Sequence, residues 1–194
     1  MIYVTSDSHF GHDAIRDYSS RPFTTVEEMD ATMIENWNAI VRDDDTVICL
    51  GDFTLGGWEQ AAWYFRKLTG HIKVLGNPWH HDKRWLPKTG VGYSPFRSRS
   101  DHDVEILLPI HVLELKEYAV DGHPLPVILC HYPIARWDRK HFGAIHLYGH
   151  THQHCVDLGP RAINVCVEQT DYYPVSLIGL VESALMEPFG VGTT

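Results

Sequence analysis

The stretch Ile2-Tyr3-Val4-Thr5-Ser6-Asp7-Ser8-His9 is an apolar, β-rich run that ends on side chains able to bind a metal or move a proton. The same grammar recurs along the chain. Thr46 to Leu50 is followed by Gly51-Asp52, Ile72 to Leu75 by Gly76-Asn77, Val127 to Cys130 by His131, and Ile145 to Tyr148 by Gly149-His150-Thr151-His152. In α/β architectures the C-terminal ends of strands open into a common crevice. Five strands therefore deliver Asp7, His9, Asp52, Asn77, His131, His150 and His152 to one edge, and this reading decides the fold class.

Between these strands the periodicity predicts helices. Val26 to Val41 carries Val26, Met29, Met33, Trp37 and Ile40 on one face, and Thr25 with Glu28 has the spacing of a capping box. Trp58 to Leu68 is a second helix, with Ala61, Ala62, Phe65 and Leu68 inward and Gly70 ending it. Gly76 to about Asp103 reads as irregular, with aromatic residues placed to wall a pocket. Strands follow at Glu105–Leu108, His111–Leu115 and Val127–Cys130, with Asp121-Gly122 turning the last two, and then at Ile145–Tyr148, Cys155–Leu158 and Ala162–Val167. Early alternation of strand and helix followed by a β-rich second half predicts an α/β protein of two packed sheets with helices outside. No repeat or linker divides the 194 residues, so one domain over 1–194 is expected.

Composition narrows the function classes. Hydrophobic residues make up 44% and charged residues 21%, and no run is long enough to span a membrane. With no basic leader before the first strand, the chain reads as cytoplasmic. Cys49, Cys130, Cys155 and Cys166 form no CxxC pair and read as reduced thiols. The net charge of −9, with no Lys/Arg block, argues against a long nucleic-acid partner. Histidine is abundant, at 14 residues. His71, His102, His111, His123, His141, His146 and His154 carry no motif and read as structural or surface residues. Tyr132, Arg136 and Trp137 follow a ligand-bearing strand, where aromatics more often pack than line a pocket. Asn164 is as consistent with support of the site as with ordinary strand-edge placement.

Carboxylate and amide oxygens with imidazole nitrogens, and no thiolate, suit manganese, iron or zinc. Seven such ligands exceed one tetrahedral ion and suit two ions sharing a carboxylate. Asp7 and His9, like His150 and His152, are two residues apart, so on an extended backbone each pair faces one way. In order, Asp7-x-His9, Gly51-Asp52, Gly76-Asn77, His131 and Gly149-His150-x-His152 resemble the calcineurin-like metallophosphoesterase superfamily. Ser6 to His12, Arg21-Pro22-Phe23 and the Ile163-Asn164-Val165 to Tyr173-Pro174-Val175 segment resemble its small bacterial and phage members.

The resemblance implies a four-layer α/β/β/α sandwich of two mixed sheets and two divalent cations, manganese first, with iron, zinc or nickel as alternatives. It implies Asp7, His9 and His152 on one cation, Asp52 bridging, and Asn77, His131 and His150 on the other. The family pattern places a catalytic histidine directly after the asparagine. Here Pro78-Trp79 intervenes, and either His81, with Asp82, or His80 takes that role, or neither does. His12 either reaches the phosphate side of the metals or, the slightly favoured reading, lies exposed ahead of a short helix starting at Asp13. The implied activity is hydrolysis of phosphomono- or phosphodiesters, including nucleotides, by a hydroxide bridging the cations. Coordination lowers the pKa of such a water from about 15.7 to about 7. A catalytically silent scaffold of the same fold that binds a protein partner is the alternative. A metallo-β-lactamase-like hydrolase would want Asp where His154 stands. Substrate and oligomeric state are not legible in the sequence.

Overall fold

The structure is a computed structural model describing residues 1–76, 81–87 and 91–187. In chain order its elements are β1 (Ile2–Thr5), α1 (Ile15–Tyr18), α2 (Val26–Ile40), β2 (Thr46–Cys49), α3 (Trp58–Phe65), β3 (His71–Leu75), β4 (Gly92–Arg97) and β5 (Asp103–Leu107). These are followed by β6 (Ile110–Val120), β7 (His123–Cys130), β8 (Ile145–Tyr148), β9 (Ala162–Asn164), β10 (Val175–Ser176) and α4 (Leu177–Met186). They form an α/β fold with two mixed sheets, ordered β10-β1-β2-β3-β5-β4 and β6-β7-β8-β9. Strands β1, β2, β3 and β5 run parallel, as do β7, β8 and β9; antiparallel β10 and β4 edge the larger sheet, and antiparallel β6 edges the smaller one opposite β9.

Both faces of the larger sheet are buried, and the two-residue alternation of strands sorts its side chains into two cores. Tyr3, Val47, Cys49, Ile72, Val74 and Ile106 meet the apolar faces of α2 and α3. Val4, Ile48, Leu50, Leu75 and Leu107 meet Leu125, Val127, Leu129, Ile145 and Leu147 of the second sheet. The parallel strands are thereby locked in register, and the ends of β1, β2, β7 and β8 come to one rim.

Helix α2 begins as expected, with Glu28 N–H donating to Thr25 Oγ1 at 3.1 Å. The reciprocal half of the capping box is displaced by one residue, because the Glu28 carboxylate accepts from Thr24 N–H at 2.7 Å instead of Thr25 N–H. Asp121 and Gly122 both take positive φ, the backbone that a tight hairpin between β6 and β7 requires.

Several expectations are corrected. Cys155–Leu158 is not a strand: Val156 N–H donates to the Tyr148 hydroxyl, and Leu158 packs on Ile128, Trp137 and Ala144 as an isolated anchor. The stretch read as irregular contains β4, whose Pro95 is tolerated because the strand lies on a sheet edge. Trp85 walls no pocket. It is fully buried, donates to Asp82 Oδ1 at 2.8 Å and packs on Phe53, Phe65 and Phe96. Helix α4 lies not outside but against the inter-sheet core, through Leu177, Val181 and Ala184. No helix among the described residues is long and apolar enough to cross a membrane.

Candidate metal centre

Beyond β1 and β2 the chain does not turn away at once. Asp7 N–H donates to Gly51 O, His9 N–H to Asp52 O and Phe10 N–H to Phe53 O, at 2.9 to 3.1 Å. The two loops therefore run side by side as a continuation of the sheet. At the other sheet Gly149 N–H donates to His131 O at 2.9 Å, and His150 N–H crosses to Asp7 Oδ2 at 2.8 Å. That last bond ties the two sheets together at the rim.

Asp7, His9, Asp52, His150 and His152 all have φ between 51° and 71°. Such left-handed backbone costs a non-glycine residue of order 1–3 kcal/mol, and it persists where the surroundings hold it. The expectation that Asp7 and His9 share a face through extended backbone is thus corrected. Their side chains meet because the chain winds left-handed at both positions. His150 and His152 are left-handed too, and they go to different triads, His152 to that of Asp7 and His9, and His150 to that of Asp52 and His131.

The side chains converge in three overlapping triads, Asp7/His9/His152, His9/Asp52/His81 and Asp52/His131/His150, with the ligand atoms of each within 4.8 Å of one another. His9 Nε2 lies 3.8 Å from Asp7 Oδ1 and 3.7 Å from Asp52 Oδ2, His131 Nε2 lies 3.5 Å from Asp52 Oδ2, and His152 Nε2 lies 3.9 Å from Asp7 Oδ1. These separations are too long for hydrogen bonds. They suit atoms gathered about one ion at the usual ligand distance of roughly 2.0–2.2 Å. Asp7 Oδ1 and His9 Nε2 are buried with no hydrogen-bond partner. Buried polar atoms are normally paired, so the donor set fits divalent cations. Asp52 Oδ2 sits between the His9 and His131 nitrogens. Asn77 and His80 lie outside the described residues. His81 opens a short 3-10 helix, His81–Arg84, with Nε2 3.8 Å from Asp52 Oδ2. Asp82 fastens this helix, accepting from Phe53 N–H, Thr54 N–H and the Trp85 indole.

The electrostatics point the same way. Burial raises the Asp7 carboxyl, but the neighbouring imidazoles of His9, His131 and His152 outweigh it and hold Asp7 well below the carboxylate range. Burial, with the charges of Asp7 and Asp82, pushes Asp52 up to about 9. Burial also lifts Asp82 to about 7, and it depresses His9 to about 4 against the opposing pull of Asp7. A dication would neutralise this concentration of buried carboxylates.

A pH prediction follows for cation-free protein. Above His9's ordinary 6.5 that ring is neutral both folded and unfolded. Asp52 ionises near 3.8 when unfolded and near 9 when folded, so the folded chain holds the extra proton and unfolding releases it. Stability in chelator should therefore fall as pH rises from about 7 towards 9, a direction shared by the buried thiols of Cys49 and Cys166 near the upper limit. Thermal melts across that window with and without Mn²⁺ measure it. A melting temperature that is flat or rising in chelator would contradict the assignment.

Around the ligands lies a second set that the sequence reading placed only in part. His12 is half-buried and its Nδ1 contacts His9 Nδ1 at 3.3 Å, so it is not the exposed residue expected. Asn164 Nδ2 donates to Thr151 Oγ1 and to the carbonyls of His152 and His154, while its Oδ1 accepts from Cys166 N–H. Arg21 and Glu168 are buried: Arg21 donates to Asp7 O, Ser8 O and Glu168 Oε1, and the same Glu168 oxygen lies 2.9 Å from His152 Nδ1. Glu168 was not singled out. Its signal was its place next to the Asn164–Val167 segment, which no periodicity marks. Tyr132 lies against His150, with ring centroids 4.8 Å apart. Trp137 is structural, donating to Ala144 O at 2.9 Å. His146 is also structural and fully buried, contacting Ile128 O and accepting from Ile134 N–H.

Fold and site together define an α/β protein with two mixed sheets and a buried Asp/His cluster of metal-ligating type where strands of both sheets end. The chain belongs to the family of the uncharacterized protein MJ1445 of Methanocaldococcus jannaschii, to which it is 33% identical over 179 residues, covering 91% of this chain and 86% of that one. It is also 29% identical over 169 residues to the gene 66 protein of Mycobacterium phage L5, across 77% of this chain and 76% of the phage protein. No family model matches the chain. The crystal structure of the protein of unknown function AQ665 from Aquifex aeolicus shares the fold, with a TM-score of 0.62 at 21% identity over 94% of this chain and 98% of that one.

Proposed function

We propose that the protein is a dinuclear metal-dependent phosphoesterase of the calcineurin-like kind, its two packed sheets and the helices on the larger one corresponding to three layers of that family's four-layer sandwich. One observation carries the reading. The Asp7/His9/His152 and Asp52/His131/His150 triads lie side by side, with Asp52 Oδ2 3.7 Å from His9 Nε2 and 3.5 Å from His131 Nε2. On this reading Asp7, His9 and His152 hold one cation, Asp52 serves both, and His131 and His150, with Asn77, hold the other. When bound, two such cations supply an activated water and stabilise charge on the phosphoryl oxygens. His81, about a third exposed at the mouth of the cluster, donates a proton from Nε2 to the departing oxygen. His12 steadies the His9 ring through Nδ1. The acidic surface favours a small phosphoester, nucleotides included, over a long polynucleotide.

The test is hydrolysis of p-nitrophenyl phosphate and bis(p-nitrophenyl) phosphate with Mn²⁺ supplied. Turnover that chelator abolishes is expected, and His81→Ala should lower kcat about 10²- to 10⁴-fold while leaving bound metal unchanged. Two bound ions with no turnover of any ester would favour the silent protein-binding scaffold. Unimpaired His81→Ala would remove that residue from the mechanism.

A further inference from the structure

The two cation positions are not supported alike. Glu168 touches one ligand, His152, and Arg21 holds the backbone of another, Asp7. The Arg21 side chain is fully buried and donates to three oxygens, Asp7 O at 2.7 Å, Ser8 O at 2.9 Å and Glu168 Oε1, and to Met29 Sδ at 3.3 Å. The two carbonyls lie between the left-handed residues Asp7 and His9, so the guanidinium holds that strained backbone in place. Glu168 Oε1 lies 2.9 Å from His152 Nδ1. A carboxylate can only accept there, so Nδ1 carries a proton and Nε2 is the ring atom left near Asp7 Oδ1, 3.9 Å away. The segments carrying the pair are fastened to each other as well. Phe23 packs edge-on against Tyr172 at 4.7 Å, and Tyr172 N–H returns to Val167 O.

We infer that Arg21 and Glu168 act as a unit of positioning residues that sets the cation affinity of the Asp7/His9/His152 position and leaves the Asp52/His131/His150 position largely untouched. The inference rests on the metal-binding part of the proposed function. Carboxylates that orient a metal-bound imidazole typically contribute 10- to 100-fold in metal affinity. The Arg21 bonds to Asp7 and Ser8 extend that control to the carboxylate on the other side of the ion. A purely structural ion pair would change stability without distinguishing the two positions.

The experiment is a Mn²⁺ titration by calorimetry, with metal analysis after dialysis, on the full chain and two variants. Glu168→Gln keeps the shape and an acceptor but loses the charge. Arg21→Met with Glu168→Met replaces the ion pair by apolar volume, guarding against a fold lost to an unpaired buried charge. Wild type should bind two ions. Both variants should keep one at wild-type affinity and bind the other 10- to 100-fold more weakly, Glu168→Gln being the milder. Adding His131→Ala to Glu168→Gln should then remove the retained ion. Two ions at wild-type affinity in the folded variants would overturn the inference and leave the proposed function standing, as would equal weakening of both ions. A wild type that binds no ion would overturn both.

Discussion

Asp52→Asn should bind one cation fewer and lose turnover by about 10³-fold or more, yet the cation-free variant should be more stable than wild type at pH 8. The first effect comes from placement. Asp52 Oδ2 lies 3.7 Å from His9 Nε2 and 3.5 Å from His131 Nε2, so it reaches a nitrogen of each triad. A cation that stabilises transition-state charge contributes several kcal/mol, and each 1.36 kcal/mol is tenfold in rate. The second effect comes from burial beside Asp7 and Asp82, which pushes Asp52 up to about 9. Asparagine keeps the shape and removes the repulsion. Stability gained as function is lost marks a residue held for chemistry rather than folding. A variant that kept both ions would remove Asp52 from the shared position, and one that melted below wild type in chelator would contradict the repulsion from Asp7 and Asp82.

Gly149→Ala should cost about 2–4 kcal/mol of stability and weaken the cation at Asp7. A Cβ at 149 would lie 2.1 Å from Ser6 Oγ and 2.3 Å from Asp7 Oδ2. Turning the Ser6 hydroxyl away gives no relief, because Ser6 Cβ would still lie 2.8 Å from the added methyl. Ser6 is bridged to Cys166 at the end of β1, and Asp7 is held through its carbonyl by Arg21. Relief would have to come from separating the sheet ends, which breaks the His150 N–H to Asp7 Oδ2 bond joining them. Urea unfolding with metal analysis reads both effects. Wild-type stability with two ions would mean that the rim is far more compliant than its contacts imply.

Much of this architecture was legible because strand alternation and ligand chemistry are local signals. The runs at Ile2, Thr46, Ile72, Val127 and Ile145 are strands, and their polar sequels do gather, except Asn77, which lies outside the described residues. What the sequence concealed was geometry set by tertiary context. Asp7-x-His9 suggested an extended pair, whereas both residues are left-handed. Trp85 suggested a pocket wall because it lies in a Pro-rich stretch, but Asp82 turns its indole into the core. Cys155–Leu158 has strand-like residues with no ladder to join, and β4 has a ladder despite its proline. Glu168 and Arg21 are separated by 147 positions, and no periodicity links residues so far apart.

The central claim is that six side chains from both sheets hold two neighbouring cations. Crystals grown with Mn²⁺ and measured for anomalous scattering test it most directly. Two peaks are expected, one among Asp7, His9 and His152 and the other among Asp52, His131 and His150. A single peak elsewhere on the chain, or none at saturating Mn²⁺, would contradict it.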